Sequence, residues 1–139
     1  MTSTANKAIM QRYFTEMIDK RSDNLIDELW SEDCIVHRPE IDVEGREAFR
    51  RAFNRVVEPY SELRTTIHNM IAESDLVVCR LSHRVLHRDG HWTSRLGRHV
   101  VAAGQVITWP AFAMFRIRGG KIAEEWVCRD ELGMLCSYS

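Results

Sequence analysis

From about residue 63 onward, apolar and polar side chains trade places at every second position, and turn residues break the pattern at short intervals. A strand with one face on a core requires this period of two, so the second half of the chain reads as a sheet. Strands are predicted over 63–71, 76–87 and near 92–101, followed by two more joined by a turn at Gly119 and Gly120. The first half repeats differently. Ile9, Tyr13, Phe14, Met17 and Ile18 recur at helical spacing over 5–20, and Leu25, Ile26 and Leu29 form a short second helix that Ser22 or Asp23 can cap. A short strand through Cys34, Ile35, Val36 and His37 follows, then a loop containing Pro39. Gly45 opens a third helix with Phe49, Ala52, Phe53 and Val56 on one side, and Pro59 ends it. Three N-terminal helices followed by strands argue for an α+β fold with a mostly antiparallel sheet.

At 139 residues the chain fits a single domain over 1–139. A net charge of −1 with intermixed signs excludes a globally basic surface for nucleic acid. The arginines of the third helix, Arg46, Arg50, Arg51 and Arg55, lie opposite Phe49 and Phe53 and read as a solvated face. The expected partners are a hydrophobic small molecule and a second copy of the chain, with no membrane. Cys34, Cys79, Cys128 and Cys136 have no C-x-x-C spacing, and no apolar leader or spanning run is present, so reduced thiols and a cytoplasmic location are expected.

Three groups of residues could carry chemistry. Alternation along the last strand places Ile122, Trp126, Cys128 and Asp130 on one face, and a carboxyl beside an indole on a concave sheet would have a raised pKa. The plain alternative is that Asp130 caps the D-E-L-G turn after it. On the 76–87 strand, Val77, Cys79, Leu81, His83, Val85 and His87 share an apolar face. His83, His87 and His91 suggest a metal only weakly, because Gly90 interrupts the strand and no carboxylate spacing completes a site, so neither metal nor cofactor is expected. His37, in D-C-I-V-H-R-P, could orient a carbonyl or simply close its strand. Tyr13, Trp30, Phe53, Trp109, Phe112 and Met114 are the large side chains left to line a cavity with His83, Trp126 and Cys128.

The pattern G-K-I-x-E-x-W-x-x-x-D-x-L-G-x-L over Gly120 to Leu135 resembles the SnoaL-like polyketide cyclases, a branch of the nuclear transport factor 2-like superfamily. That resemblance implies a cone-shaped α+β barrel around a deep pocket, and cofactor-free ring closure with Asp130 as the acid or base. It also implies that His37, in the family's D-x-x-x-H-x-P, and His87 are polar orienting groups, and that the chain forms a homodimer. The Thr that precedes the second histidine in the family is Leu86 here, and the Arg- and His-rich stretch between His87 and Gly104 is longer than expected. It could form a long hairpin over the pocket mouth or at a dimer interface, where Arg95 and Arg98 could meet an anionic group, although a solvated hairpin face is the favoured reading. A cyclase, isomerase or lyase acting on a hydrophobic carbonyl compound is the favoured reading. Epoxide-hydrolase-like water activation through Asp130 and Arg116, and a non-catalytic binding or dimerisation module, are the alternatives.

Overall fold

The computed structural model describes residues 2–88, 90–94, 97–101 and 103–138, with the backbone alone in the strands around 91–101. Helix α1 (Ser3–Arg12) runs into a π-helical stretch, Tyr13–Ile18, whose wider turns carry Tyr13, Phe14 and Met17 inward. A 3-10 turn, Asp23–Leu25, leads to α2 (Ile26–Leu29), and β1 (Trp30–His37) and β2 (Asp42–Glu44) precede α3 (Arg46–Val57). Gly45 sits at φ 89°, a backbone that L side chains rarely adopt, where it feeds the strand into the helix. On α3 the buried residues Phe49, Ala52, Phe53 and Val57 recur every three or four positions, so one stripe packs inward, with Val57 in place of the expected Val56, which is exposed. Arg51 and Arg55 stay outward as expected, whereas Arg46 and Arg50 are largely covered and donate to the carbonyls of Trp30 and Asp23.

The strands β3 (Tyr60–Glu73), β4 (Leu76–His87), β7 (Val106–Arg118) and β8 (Lys121–Arg129) complete a six-stranded sheet ordered β2-β1-β8-β7-β4-β3. Every pairing is antiparallel except that of β1 with β8. Of the two readings of this stretch, a single strand near 92–101 and a long hairpin, the second holds: β5 (Gly90–Ser94) pairs with β6 (Gly97–Val101) in a separate two-stranded sheet. A fourth helix, α4 (Glu131–Tyr138), occupies the segment read as a turn. Asp130 accepts a hydrogen bond from the Gly133 N–H at 2.9 Å, which starts that helix. No helix among the described residues is long and apolar enough to cross a membrane.

The helices close over one face of the curved sheet. Phe115, fully buried at the centre, meets Tyr13 and Phe14 edge-on at 5.7 Å each, and Trp30 packs on Phe49 at 4.1 Å. Inward positions on β4 and β7 follow strict alternation: Val77, Cys79, Leu81 and Val85 on one, Ile107, Trp109, Ala111, Ala113 and Phe115 on the other. On β8 the alternation breaks. Ile117 pairs with Ile122 but Arg116 pairs with Glu124, so Ala123 is an extra residue in the ladder. Ile122 and Ala123 are both buried, and beyond this bulge the inward side chains are Glu125, Val127 and Arg129. A one-residue offset exchanges the two faces of a strand.

Candidate active site

The space between sheet and helices is a cavity of about 120 Å³ lined mainly by Tyr13, Phe14, Phe49, Phe53, Tyr60, Trp109 and Phe115, with Arg38, His83, Glu125 and Arg129 as its ionisable groups. Of the residues expected there, Tyr13, Phe53, His83 and Trp109 line it. Trp30 lies behind the wall, in the core against Phe49. The bulge at Ala123 corrects the expected concave position of the others on β8: Trp126 and Cys128 face outward, and so do their β7 partners Met114 and Phe112. Phe112 is 57 % exposed.

The three residues expected to do chemistry are also dispersed. Asp130 is exposed at the end of β8, capping α4. His37 lies on the outer face, stacked on Trp126 at 5.4 Å, with Nδ1 3.0 Å from Asp42 and Nε2 2.6 Å from Glu124. The Glu124 bond chiefly, with help from Asp42, raises its pKa. His87 is buried at the end of β4, where Nδ1 donates to the Arg88 carbonyl at 2.6 Å and Tyr60 packs on the ring edge-on. Arg116 does have a carboxylate in reach, Asp75 at 2.8 Å, with Glu124 at 3.7 Å, but none of the three lines the cavity, so the water-activating arrangement through Arg116 and Asp130 does not form there. The side chains of Arg95, Arg98, His91 and His99 lie outside the described residues. Among the described residues, no group of three or more His, Cys, Asp and Glu side chains is placed to hold a metal ion.

What the bulge turns inward is Glu125. It is 7 % exposed, and burial pushes its carboxyl up to about 7, against smaller opposing effects from Arg38, a hydrogen bond donated by the Tyr13 hydroxyl, and Arg129. Tyr13 is itself pushed well above its ordinary range, by burial first and by Glu125 second. Arg129 ties the site to the β1–β2 loop, since one guanidinium nitrogen reaches both carboxylate oxygens of Glu40 at 2.8 and 2.9 Å. A carboxyl that titrates near neutral pH in apolar surroundings can give a proton to a substrate atom when protonated and take one when ionised. Glu125 escaped the sequence reading, although adjacent apolar residues at Ile122 and Ala123, breaking the polar-apolar alternation, are a sign of a bulge.

A model of the SnoaL-like polyketide cyclases matches residues 8–136. The chain belongs to that family. Among solved structures, this family member superposes on a protein from Jannaschia sp. CCS1 named for the SnoaL-like polyketide cyclases, at TM-score 0.84 and 20 % identity, covering 99 % of this chain and 93 % of that one. It also superposes on AclR of Streptomyces galilaeus, named for a hydroxylase, at TM-score 0.80 and 18 % identity, with 97 % and 96 % covered. An LEH-like epoxide hydrolase from M. tuberculosis matches at TM-score 0.75 and 10 % identity, with 98 % and 90 % covered. No curated protein matches the chain. At these identities the likenesses establish the fold, and three different chemistries are named on it.

Proposed function

We propose that this SnoaL-like protein is a cofactor-independent acid–base enzyme, a cyclase, isomerase or lyase, that moves a proton at a carbon beside a carbonyl in a hydrophobic small molecule. The supporting observation is Glu125, a buried carboxyl in an aromatic-lined cavity that it shares with Tyr13, Arg38 and Arg129, where burial pushes its pKa up to about 7. Protonated, it supplies an acid to a developing alkoxide or enolate; ionised, it takes the proton from carbon. Arg38 and Arg129 favour the ionised form and would steady negative charge as it builds on the substrate oxygen. The aromatic walls hold the substrate in a reactive pose.

The outward side chains support a homodimer as part of this reading. Ile71, Val78, Met114, Trp126 and His37 occupy facing positions on successive strands and form one row across the sheet, with Phe112 and Cys128 beside it. A second copy laid on this face would remove the row from water. The free, buried Cys34 and Cys79 suit a reducing compartment, in keeping with a cytoplasmic protein.

The test is deuterium uptake beside the carbonyl, followed by proton NMR in heavy water across cyclic ketones and β-diketones. Glu125→Gln should lower the rate by about 10²-fold or more, while Asp130→Asn should leave it nearly unchanged. Equal rates for Glu125→Gln and the wild type would remove Glu125 from the chemistry. Loss in Asp130→Asn alone would return that role to Asp130.

A further inference from the structure

His83 faces Thr65 across the β3–β4 ladder, and behind Thr65 lies Asp19, just past the π-helical stretch. The Thr65 N–H donates to Asp19 Oδ2 at 2.9 Å, and the Thr65 hydroxyl reaches Asp19 Oδ1 at 2.7 Å and His83 Nδ1 at 2.9 Å. A carboxylate only accepts, so the hydroxyl gives its one proton to Asp19. It must then accept from His83, and Nδ1 carries the ring proton. Nε2 is left with its lone pair. It has no hydrogen-bond partner among the described residues, and it belongs to a half-buried side chain that lines the cavity between Phe14 and Trp109. Burial, with Arg129 adding to it, lowers the imidazole pKa to about 4, so the ring stays neutral at pH 7.

We propose that Asp19 and Thr65 are positioning residues that lock His83 as a hydrogen-bond acceptor in the cavity wall, and that the ligand presents a hydroxyl or enol O–H to its Nε2. The inference shares its cavity with the reading of Glu125 and adds the polarity and length of what fits there. His83 pairs with Trp109, whereas Glu125 pairs with Phe115, further along the same strand. A ligand touching both is elongated along the strands, with its hydroxyl at the end away from Glu125.

The first test is the nitrogen-15 NMR spectrum of the histidine rings at pH 7, with His83 assigned by its loss in His83→Phe. The expected ring is neutral, protonated on Nδ1 and bare on Nε2. Thr65→Val should release it toward the Nε2–H form, and Thr65→Ser should restore it. The second test compares 2-naphthol with its methyl ether, 2-methoxynaphthalene, by calorimetric titration. The naphthol should bind about tenfold more tightly to the wild type and to Thr65→Ser, with the preference collapsing in His83→Phe and Thr65→Val. A wild-type ring protonated on Nε2, a charged ring at pH 7, or equal affinities for the two probes would overturn the proposal. Neither measurement needs turnover, so the expected tautomer and preference in a protein that never exchanges deuterium would count against Glu125 alone.

Discussion

Strands β4 and β8 have similar alternating sequences, yet only one of them faces the way its alternation says. On β4, Val77, Cys79, Leu81, His83 and Val85 point inward without interruption, and the paired register with β7 has no break. On β8 a single extra residue, Ala123, reverses every position after it, so Trp126 and Cys128 meet solvent and Glu125 enters the cavity. Pattern reports which residues share a face only within an unbroken stretch, whereas a bulge is set by the ladder beside it and separates Ile122 from Trp126 and Cys128. The chemistry of the site follows from that one residue.

Removing the bulge is the strongest way to break the contrast. Deleting Ala123 makes β8 regular, drives Trp126 toward the packed cavity wall and takes Glu125 out of it. The expected loss is about 5 kcal/mol or more, enough to abolish cooperative unfolding in urea. A deletion variant that unfolds cooperatively with unchanged midpoint would show that the bulge does not set the register.

A milder change keeps the register and neutralises the inward carboxyl. The folded pKa of Glu125, about 7, lies above the ordinary 4.5, so its protonated form contributes fully below pH 4.5 and that contribution is lost as pH rises toward 7. Glu125→Gln should therefore be more stable than the wild type by about 3 kcal/mol at pH 8.5, with no difference at pH 4. Urea midpoints at the two pH values decide it. The variant that loses activity is thus expected to gain stability.

Thiol labelling sharpens the comparison without mutation. Cys79 on β4 faces the core, and burial pushes its thiol up to about 12, while Cys128 on β8 is exposed. In dilute native protein Cys128 should react quickly and Cys79 only on unfolding. If a second copy covers the outer face, the Cys128 rate should fall several-fold as concentration rises, and Phe112→Arg should abolish that protection. Fast labelling of Cys79 would mean that β4 is turned the other way.

The smallest effect belongs to the outward neighbour of the bulge. The pKa of His37 is raised by Glu124 and Asp42, so its contribution is complete below pH 6.5 and fades as pH climbs through the raised value. Its side chain is 29 % exposed, which limits the pair to about 1 kcal/mol or less. His37→Gln should lower the urea midpoint slightly at pH 6 and not at pH 9. Equal losses at both would assign His37 to packing alone.

The succession of three helical segments and then strands, the Gly45 helix start and the limits of β4 were legible because they depend on local periodicity and turn chemistry, whereas β2, in a segment read as a loop, and α4, in one read as a turn, were not. Tyr13, Phe53, His83 and Trp109 were found for the same reason: they lie on regular elements, or on a helix whose π turns still carry Tyr13 inward. Glu125, Phe112, Met114, Trp126 and Cys128 were misplaced because a bulge is a property of two strands at once. Asp19 and Thr65 were invisible for a related reason, since their bonds join residues 46 apart in the chain.

The parallel pairing of β1 with β8 also constrains how the molecule comes together. Trp30 and Ile122 are register partners, yet about two thirds of the chain separates them. Every other strand of the large sheet has an antiparallel neighbour close in sequence, so the β3–β4 and β7–β8 hairpins can form early. The β1 contact must wait for a long loop to close, a cost that slows folding. Until β8 docks, the inner faces of β1 and α3 have only each other and the first helix for cover, and this half-built cavity is where a stalled chain would be most prone to aggregate.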